Sequence, residues 1–335
     1  MISADEYQAY GTTLINFAEK ISSFSSPLAV GMSGNFRQMK RRILNIAVFR
    51  KETLYQKMRA LIIYLVISAV FIGCTPILSI DASTQSVYHF SDTDKNISLL
   101  DISETFGTYD GSFVLYDNNL DSWKIYDLEE ATKRIPPEST YKIYDALLGL
   151  ESGIITPEHS SMTWNGDAFP FPSWEADQDL NSAMQNSVNW YFQAIDSQLG
   201  INRVQEFLNK IEYGNQTTSS NLDLYWSDFS LKISPLEQVT LLKKFNTNEF
   251  HLNSQNVFSV KNAIKIASTP NGNFYGKTGT GRVNGQDING WFIGYVETSD
   301  NSYYFATNIQ SDSNATGKKA FEITSDILKK LHIWN

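Results

Sequence analysis

The chain has 335 residues, 42% of them apolar, with 20 Phe, 17 Tyr and 7 Trp, which supports a packed core and excludes a disordered chain. Its net charge of −9 is unevenly spread, with nine Lys/Arg against four Asp/Glu in residues 1–60 and 18 against 32 in the remainder. The acidic bulk argues against nucleic acid as a partner, and the lone Cys74 excludes an intrachain disulfide and a thiolate metal centre.

Tyr7, Tyr10, Leu14, Phe17 and Ile21 recur at helical spacing. A second helix is predicted over Gln38–Phe49. Two such helices are too little to make a domain alone. Ala60 to Ile80 follows as 21 residues without a charge, long enough to cross a bilayer. The alternative reading of such a run, a buried core helix, is the weaker one. Lys40, Arg41, Arg42, Arg50, Lys51, Lys57 and Arg59 all precede it. Such an excess marks the cytoplasmic side, so residues 81–335 are expected outside the cell membrane after a single pass. A competing reading starts a lipoprotein signal at Met58 and lipidates Cys74, although Phe71 fits poorly three positions before it.

The polar stretch 81–100 reads as a linker. "GTYDGSFVLYD" and "SWKIYDL" around "NNLD" predict a hairpin. "STYKIYDALLGLESGI" predicts a helix with Ser139 near its start and Gly153 past its end. Further helices are expected over Leu180–Ile195, Val204–Ile211 and from Pro235 to about Phe245. "NGNFYGKTGTG", "NGWFIGYVET" and "SYYFATNIQ" return to strands, and a last helix is expected over about Lys318–Leu331. Strands at both ends with helices between them predict an α+β domain.

The four histidines, His89, His159, His251 and His332, are scattered and no H-E-x-x-H exists, so neither a zinc hydrolase nor a Ser-His-Asp triad can be argued. Ser139-x-x-Lys142 offers a different base. Residues three apart share a helix face. A serine at a helix N-terminus sits near N–H groups suited to an oxyanion. Burial would favour the neutral lysine. Alone, the pattern is common. Ser187-Val-Asn189 and Lys277-Thr278-Gly279-Thr280 are weaker singly, and equally consistent with helix surface and a glycine-rich turn. Together, in this order and separated by 48 and 90 residues, the three make the S-x-x-K, S-x-N, K-T-G set of serine β-lactamases and penicillin-binding proteins.

On these motifs, and on "TWNG", "YGN" and "YWSDFSLKISPLEQV", residues 101–335 resemble the penicillin-recognising serine acyltransferases, and among them the class D β-lactamases. The resemblance implies a transpeptidase-like α+β fold, an antiparallel sheet with a helical subdomain, preceded by one transmembrane helix. It implies Ser139 as the acylated nucleophile and Lys142 as a base carrying a CO2-derived carbamate, supported by Trp226. Ser187 and Lys277 fall on the proton-shuttle and substrate-carboxylate side. Thr278, Gly279 and Thr280 fall on the substrate-binding strand, with the Ser139 and Thr280 N–H groups as the oxyanion hole. No metal is implied in this chain. Two departures stand out: Asn189, where class D hydrolases usually carry an apolar residue, and no evident arginine for the substrate carboxylate.

Both departures, with "QDLNSAMQNSVNWYF" and "NGWFIGYV", resemble the sensor domain of β-lactam-sensing signal transducers. In that family an extracellular domain is acylated and stays acylated. A cytoplasmic gluzincin-type peptidase then acts on a repressor. Residues 1–57 resemble the tail of that peptidase, 58–80 its last span, 81–100 a linker and 101–335 the sensor. The zinc ligands and earlier spans of the family are absent, so a truncated product or incomplete gene is expected, with a cytoplasmic repressor reachable only through the missing part. The expected function is a membrane-anchored sensor acylated by β-lactam antibiotics. The alternatives are a hydrolysing class D enzyme, a D,D-peptidase and a non-catalytic binding protein.

Overall fold

The computed structural model describes residues 86–91, 93, 95–219 and 221–335, together with Thr13. The predicted helices before Phe49 and the apolar run Ala60–Ile80 lie outside the described residues. Among the described residues no helix is long and apolar enough to cross a membrane.

Among the described residues seven strands form: β1 (Asn96–Leu99), β2 (Asp110–Asp117), β3 (Ser122–Tyr126), β4 (Lys265–Thr269), β5 (Gly272–Val283), β6 (Gln286–Glu297) and β7 (Ser302–Gln310). They form one sheet in the order β1-β3-β2-β7-β6-β5-β4. The hairpin β2–β3 is joined to the C-terminal strands by the β2–β7 pairing, Asp110 opposite Gln310 through Asp117 opposite Tyr303. The expectation of an antiparallel sheet needs one correction. Edge strand β1 runs parallel to β3, Asn96 beside Ser122, so the sheet is mixed. β1 also takes part of the stretch expected as a linker into the sheet. "NISL" was illegible as a strand because it pairs on one side only and has little apolar alternation.

Period-2 alternation sorts the sheet into two faces. Phe113, Leu115, Phe292, Phe305 and Ile309 pack with Ile323, Ile327 and Leu328. Those last three are the apolar stripe of the C-terminal helix, Gly317–Lys330. Val114, Tyr116, Ile293, Tyr295 and Tyr304 face the other way, into the helical layer.

In chain order the helices are α1 (Ser103–Phe106), α2 (Leu128–Thr132), α3 (Lys142–Glu151), α4 (Leu180–Gln185), α5 (Asn189–Leu199), α6 (Ile201–Ile211), α7 (Pro235–Asn246), α8 (Ser254–Ala263) and α9 (Gly317–Lys330). Their starts follow local chemistry. At α7, Ser234 caps the Glu237 N–H and Glu237 reaches back to Ser234, with Pro235 at the first turn. At α4, Asp179 and Ser182 form the same reciprocal box. The single helix expected over Leu180–Ile195 is two helices. Ser187 takes a left-handed φ of 53° between them, and the break creates part of the site.

Candidate active site

The approach to Ser139 is fixed before the helix begins. The Pro136 carbonyl accepts hydrogen bonds from Trp291 Nε1 at 2.9 Å and Asn289 Nδ2 at 3.1 Å. Glu138 to Tyr141 form one 3-10 turn, so Ser139 precedes α3 rather than starting it. Thr140 Oγ1 donates to the Pro137 carbonyl at 2.6 Å, and Gln238 Nε2 donates to Thr140 Oγ1 at 3.0 Å. The turn is thereby tied to β6 and α7 and leaves Ser139 half-buried at its tip.

Lys142, the first residue of α3, is fully buried. Its Nζ lies 2.9 Å from Ser139 Oγ, donates to the Ser187 carbonyl at 3.1 Å, and donates to Asn189 Oδ1. Burial lowers its pKa well below the usual lysine range, and repulsion from Lys277 pushes the same way. A neutral amine has two N–H groups and one lone pair. The Ser187 carbonyl and Asn189 Oδ1 can only accept, so they take the two N–H groups. The lone pair is left for the Ser139 hydroxyl. That is the arrangement of a base beside a nucleophile.

The α4–α5 break has a double use. With Ser187 left-handed, its carbonyl meets Lys142 while its hydroxyl accepts from Lys277 Nζ. Lys277 is also held at 2.9 Å by the Thr278 carbonyl. It is 5% exposed, and burial lowers its pKa to about 7. Strand β5 runs close beneath the turn: a Cβ on Gly279 would stand 3.1 Å from the Pro137 carbonyl oxygen and 3.2 Å from the Ser139 nitrogen. A glycine suits so close an approach of the strand to the turn. The Thr280 hydroxyl points elsewhere and accepts from Gly317 N at 2.8 Å. A pocket of about 350 Å³ opens beside Lys277 and Thr278, bounded by Met184, Gln185 and Phe321.

Ser139, Lys142, Ser187, Asn189 and Lys277 therefore form one hydrogen-bonded constellation. Trp226 lies against it differently. Its ring stacks on Tyr141 with centroids 6.2 Å apart and its carbonyl accepts from Glu138 N at 3.0 Å. The Nζ hydrogen bonds of Lys142 go to the three groups named above and not to the Trp226 indole. Among the described residues no group of His, Cys, Asp or Glu gathers as a metal site.

Sequence reasoning missed several neighbours. Asp145, one turn below Lys142, is buried with Asp196 of α5, and burial raises both carboxyls well above the usual range. Glu138, buried beside Asn289, is the other. The acidic letters were visible, but nothing in their spacing announced that they are inside.

The penicillin-binding protein transpeptidase domain model matches residues 108–329. The chain belongs to that family. Its relatives narrow the placement. The regulatory protein BlaR1 of Bacillus licheniformis is 42% identical over 97% of this chain and 54% of its own length. The chain spans about half the length of the curated sensor relatives it matches. The solved C-terminal domain of the Bacillus licheniformis BlaR penicillin-receptor superposes with a TM-score of 0.70 at 45% identity, covering 72% of this chain and 99% of that one. The class D β-lactamase BAT-2 follows at 0.66 and 36%, covering 70% of this chain and 97% of that one. The chain is thus a homologue of the BlaR-type penicillin receptors, with class D β-lactamases as structural neighbours.

Proposed function

We propose that residues 101–335 are the sensor of a membrane-anchored β-lactam receptor, acylated once at Ser139 and slow to release the acyl group. The carrying observation is the three-way hold on Lys142 Nζ by Ser139, the Ser187 carbonyl and Asn189. The neutral amine takes the Ser139 proton as Oγ attacks the lactam carbonyl. The Ser139 and Thr280 N–H groups receive the oxyanion. When the C–N bond breaks, the lactam nitrogen takes a proton from Ser187 Oγ, which the Lys277 ammonium replaces. The product is an ester on Ser139, with Lys142 left as an ammonium.

That ammonium sets the fate of the ester. It donates to the Ser187 carbonyl and to Asn189, has no lone pair, and cannot activate water. An apolar residue at position 189 would leave it one acceptor fewer. The resemblance also implies a carbamate on Lys142, and a buried neutral amine is the form to which CO2 adds. Ser139 and Trp226 are the groups that would hold it, and when present it supplies a carboxylate base. Asn189 instead serves the free amine, which supports a sensor over a hydrolase.

The apolar run Ala60–Ile80, with its basic N-terminal flank, supports a single membrane pass with the sensor outside. Output through a cytoplasmic peptidase to a repressor remains a proposal for the longer protein. The test is stoichiometric. A fluorescent penicillin labels the chain once, and intact mass shows an adduct of the whole antibiotic persisting for many minutes. Rapid multiple turnover of the same penicillin overturns the sensor reading and supports the hydrolase.

A further inference from the structure

Glu138 takes part in none of these steps, yet it immediately precedes the nucleophile and is 6% exposed. Its backbone has a left-handed φ of 53°, which a side chain of this kind adopts at a cost. Its carboxyl is folded beneath the K-T-G strand. A Cβ on Gly281 would stand 2.3 Å from Glu138 Oε1, and a Cβ on Gly279 would stand 3.0 Å from the Glu138 Cβ. The two glycines of "GTG" thus shape a slot that the acid fills.

The acid is held by a relay of amides. Gln310 Nε2 donates to Asn308 Oδ1 at 3.2 Å, Asn308 Nδ2 to Asn289 Oδ1 at 2.9 Å, and Asn289 Nδ2 to Glu138 Oε1 at 3.2 Å. The relay crosses from β7 through β6 to the nucleophile turn. Each amide orients the next, so the carboxyl has one position. A pocket of about 70 Å³ lined by Pro136, Ser227 and Phe229 reaches it from the surface, so its proton can exchange with solvent.

Among the described residues no cation forms an ion pair with it. Lys142 acts on it through space to the extent that it is protonated. Lys277 on β5 is bound to Ser187 and Thr278. Arg282 at the end of β5 is bound to Asp287 of β6 through two contacts, at 2.7 and 3.1 Å. An ionised Glu138 would therefore be a buried negative charge one residue from the oxyanion hole. It would oppose the oxyanion and draw Lys142 toward the ammonium, and both effects slow acylation.

We propose that Glu138 is a positioning residue that works as a neutral carboxylic acid, wedged between the nucleophile turn and the K-T-G strand, and that its ionisation shuts acylation down. The proposal rests on Ser139 being the acylated residue. Burial raises the carboxyl to about 8, so the acid is neutral at pH 7 and charged at pH 9.

The test is the second-order rate of labelling by a fluorescent penicillin, measured on the full chain from pH 6 to 9.5 for wild type and Glu138→Gln. The amide keeps the shape and the acceptor but cannot ionise. Titration of Lys277, set by its own burial, is common to both proteins, while any shift of Lys142 caused by Glu138 ionising is part of the effect being read. The ratio of variant to wild type is expected to rise about tenfold between pH 7 and pH 9, the drop in the protonated fraction of an acid centred between them. A ratio constant within about twofold, with both proteins labelled, overturns the role of Glu138 and leaves the Ser139 reading standing. Absence of labelling in wild type at every pH overturns both. If Glu138→Gln does not fold, Asn289→Leu serves instead. Asn289 lowers the Glu138 pKa through its hydrogen bond, so its loss should move the alkaline decline upward by about half a pH unit or more. An unmoved decline overturns the proposal.

Discussion

Replacing Asn189 by valine should turn a persistent acyl-protein into one that turns over. In the acylated protein Ser139 Oγ is an ester oxygen and a poor acceptor. The Lys142 ammonium then depends on the Ser187 carbonyl, at 3.1 Å in the free protein, and on Asn189 Oδ1. A hydrogen bond to a charged group contributes about 1.5–3 kcal/mol. Its loss disfavours the ammonium further, in the direction that burial already sets. After acylation has left Lys142 protonated, losing this acceptor speeds its return to the neutral amine, and deacylation is expected to rise by about tenfold or more if Lys142 is the base for water. The assay is a pulse of penicillin, removal of the excess, and intact mass over time. An acyl lifetime within about twofold of wild type, with labelling and melting temperature retained, refutes the reasoning.

Ser139→Ala should abolish labelling while changing stability by less than about 0.5 kcal/mol in a thermal melt, because the side chain is half-buried at a turn. Gly214→Ala should destabilise by more than about 2 kcal/mol, since Gly214 has φ +52° and a Cβ there would stand 1.9 Å from the Lys232 carbonyl oxygen; a melt within a degree of wild type would contradict this. Two further variants should show opposite pH trends. Glu138 holds its proton more tightly folded, about 8 against 4.5, so wild type loses stability as pH rises between those values and Glu138→Gln gains on it across that window. Lys277 holds its proton more weakly folded, about 7 against 10.5, so the unfolded chain binds more protons between those values and wild type gains stability as pH rises. Lys277→Met should therefore lead most below pH 7 and lose that lead toward 10.5. Melting temperatures across pH 5–10 check both signs.

The legible parts of the fold were those with a period and a boundary. Strands β5, β6 and β7 and helices α7 and α9 were expected close to their observed bounds. The α4–α5 break was not read, although "NSVN" carries Asn and Ser, which favour caps and turns over helix interiors. Helical spacing on either side masked it: Val188 and Tyr191 are both fully buried, and Ser187 between the helices is left-handed. Edge strand β1 was hidden for the opposite reason: one neighbour and an exposed face leave little pattern to read.

The site divides in the same way. Ser139 and Lys142 are three apart and a local rule can join them. Ser187 and Lys277 are joined only by the order of known motifs. Asn189 and Glu138 shape the chemistry most specifically, yet each acts through a partner distant in sequence: Lys142 for one, Asn289 and the β5 glycines for the other. Asn189 stood out in the sequence only as a departure from the class D pattern and Glu138 did not stand out at all; the fold half-buries the first and buries the second. Desolvation then gives each a meaning that composition cannot. It lowers the Lys142 pKa, which favours the neutral amine beside Ser139. It raises the Glu138 pKa, which favours the neutral acid beneath the K-T-G strand. Both effects come from the packing of one 3-10 turn between α3, β5 and β6. A substitution that lets water into that turn should therefore damage acylation twice, by charging the lysine and by charging the acid, even if every residue that touches the antibiotic is unchanged.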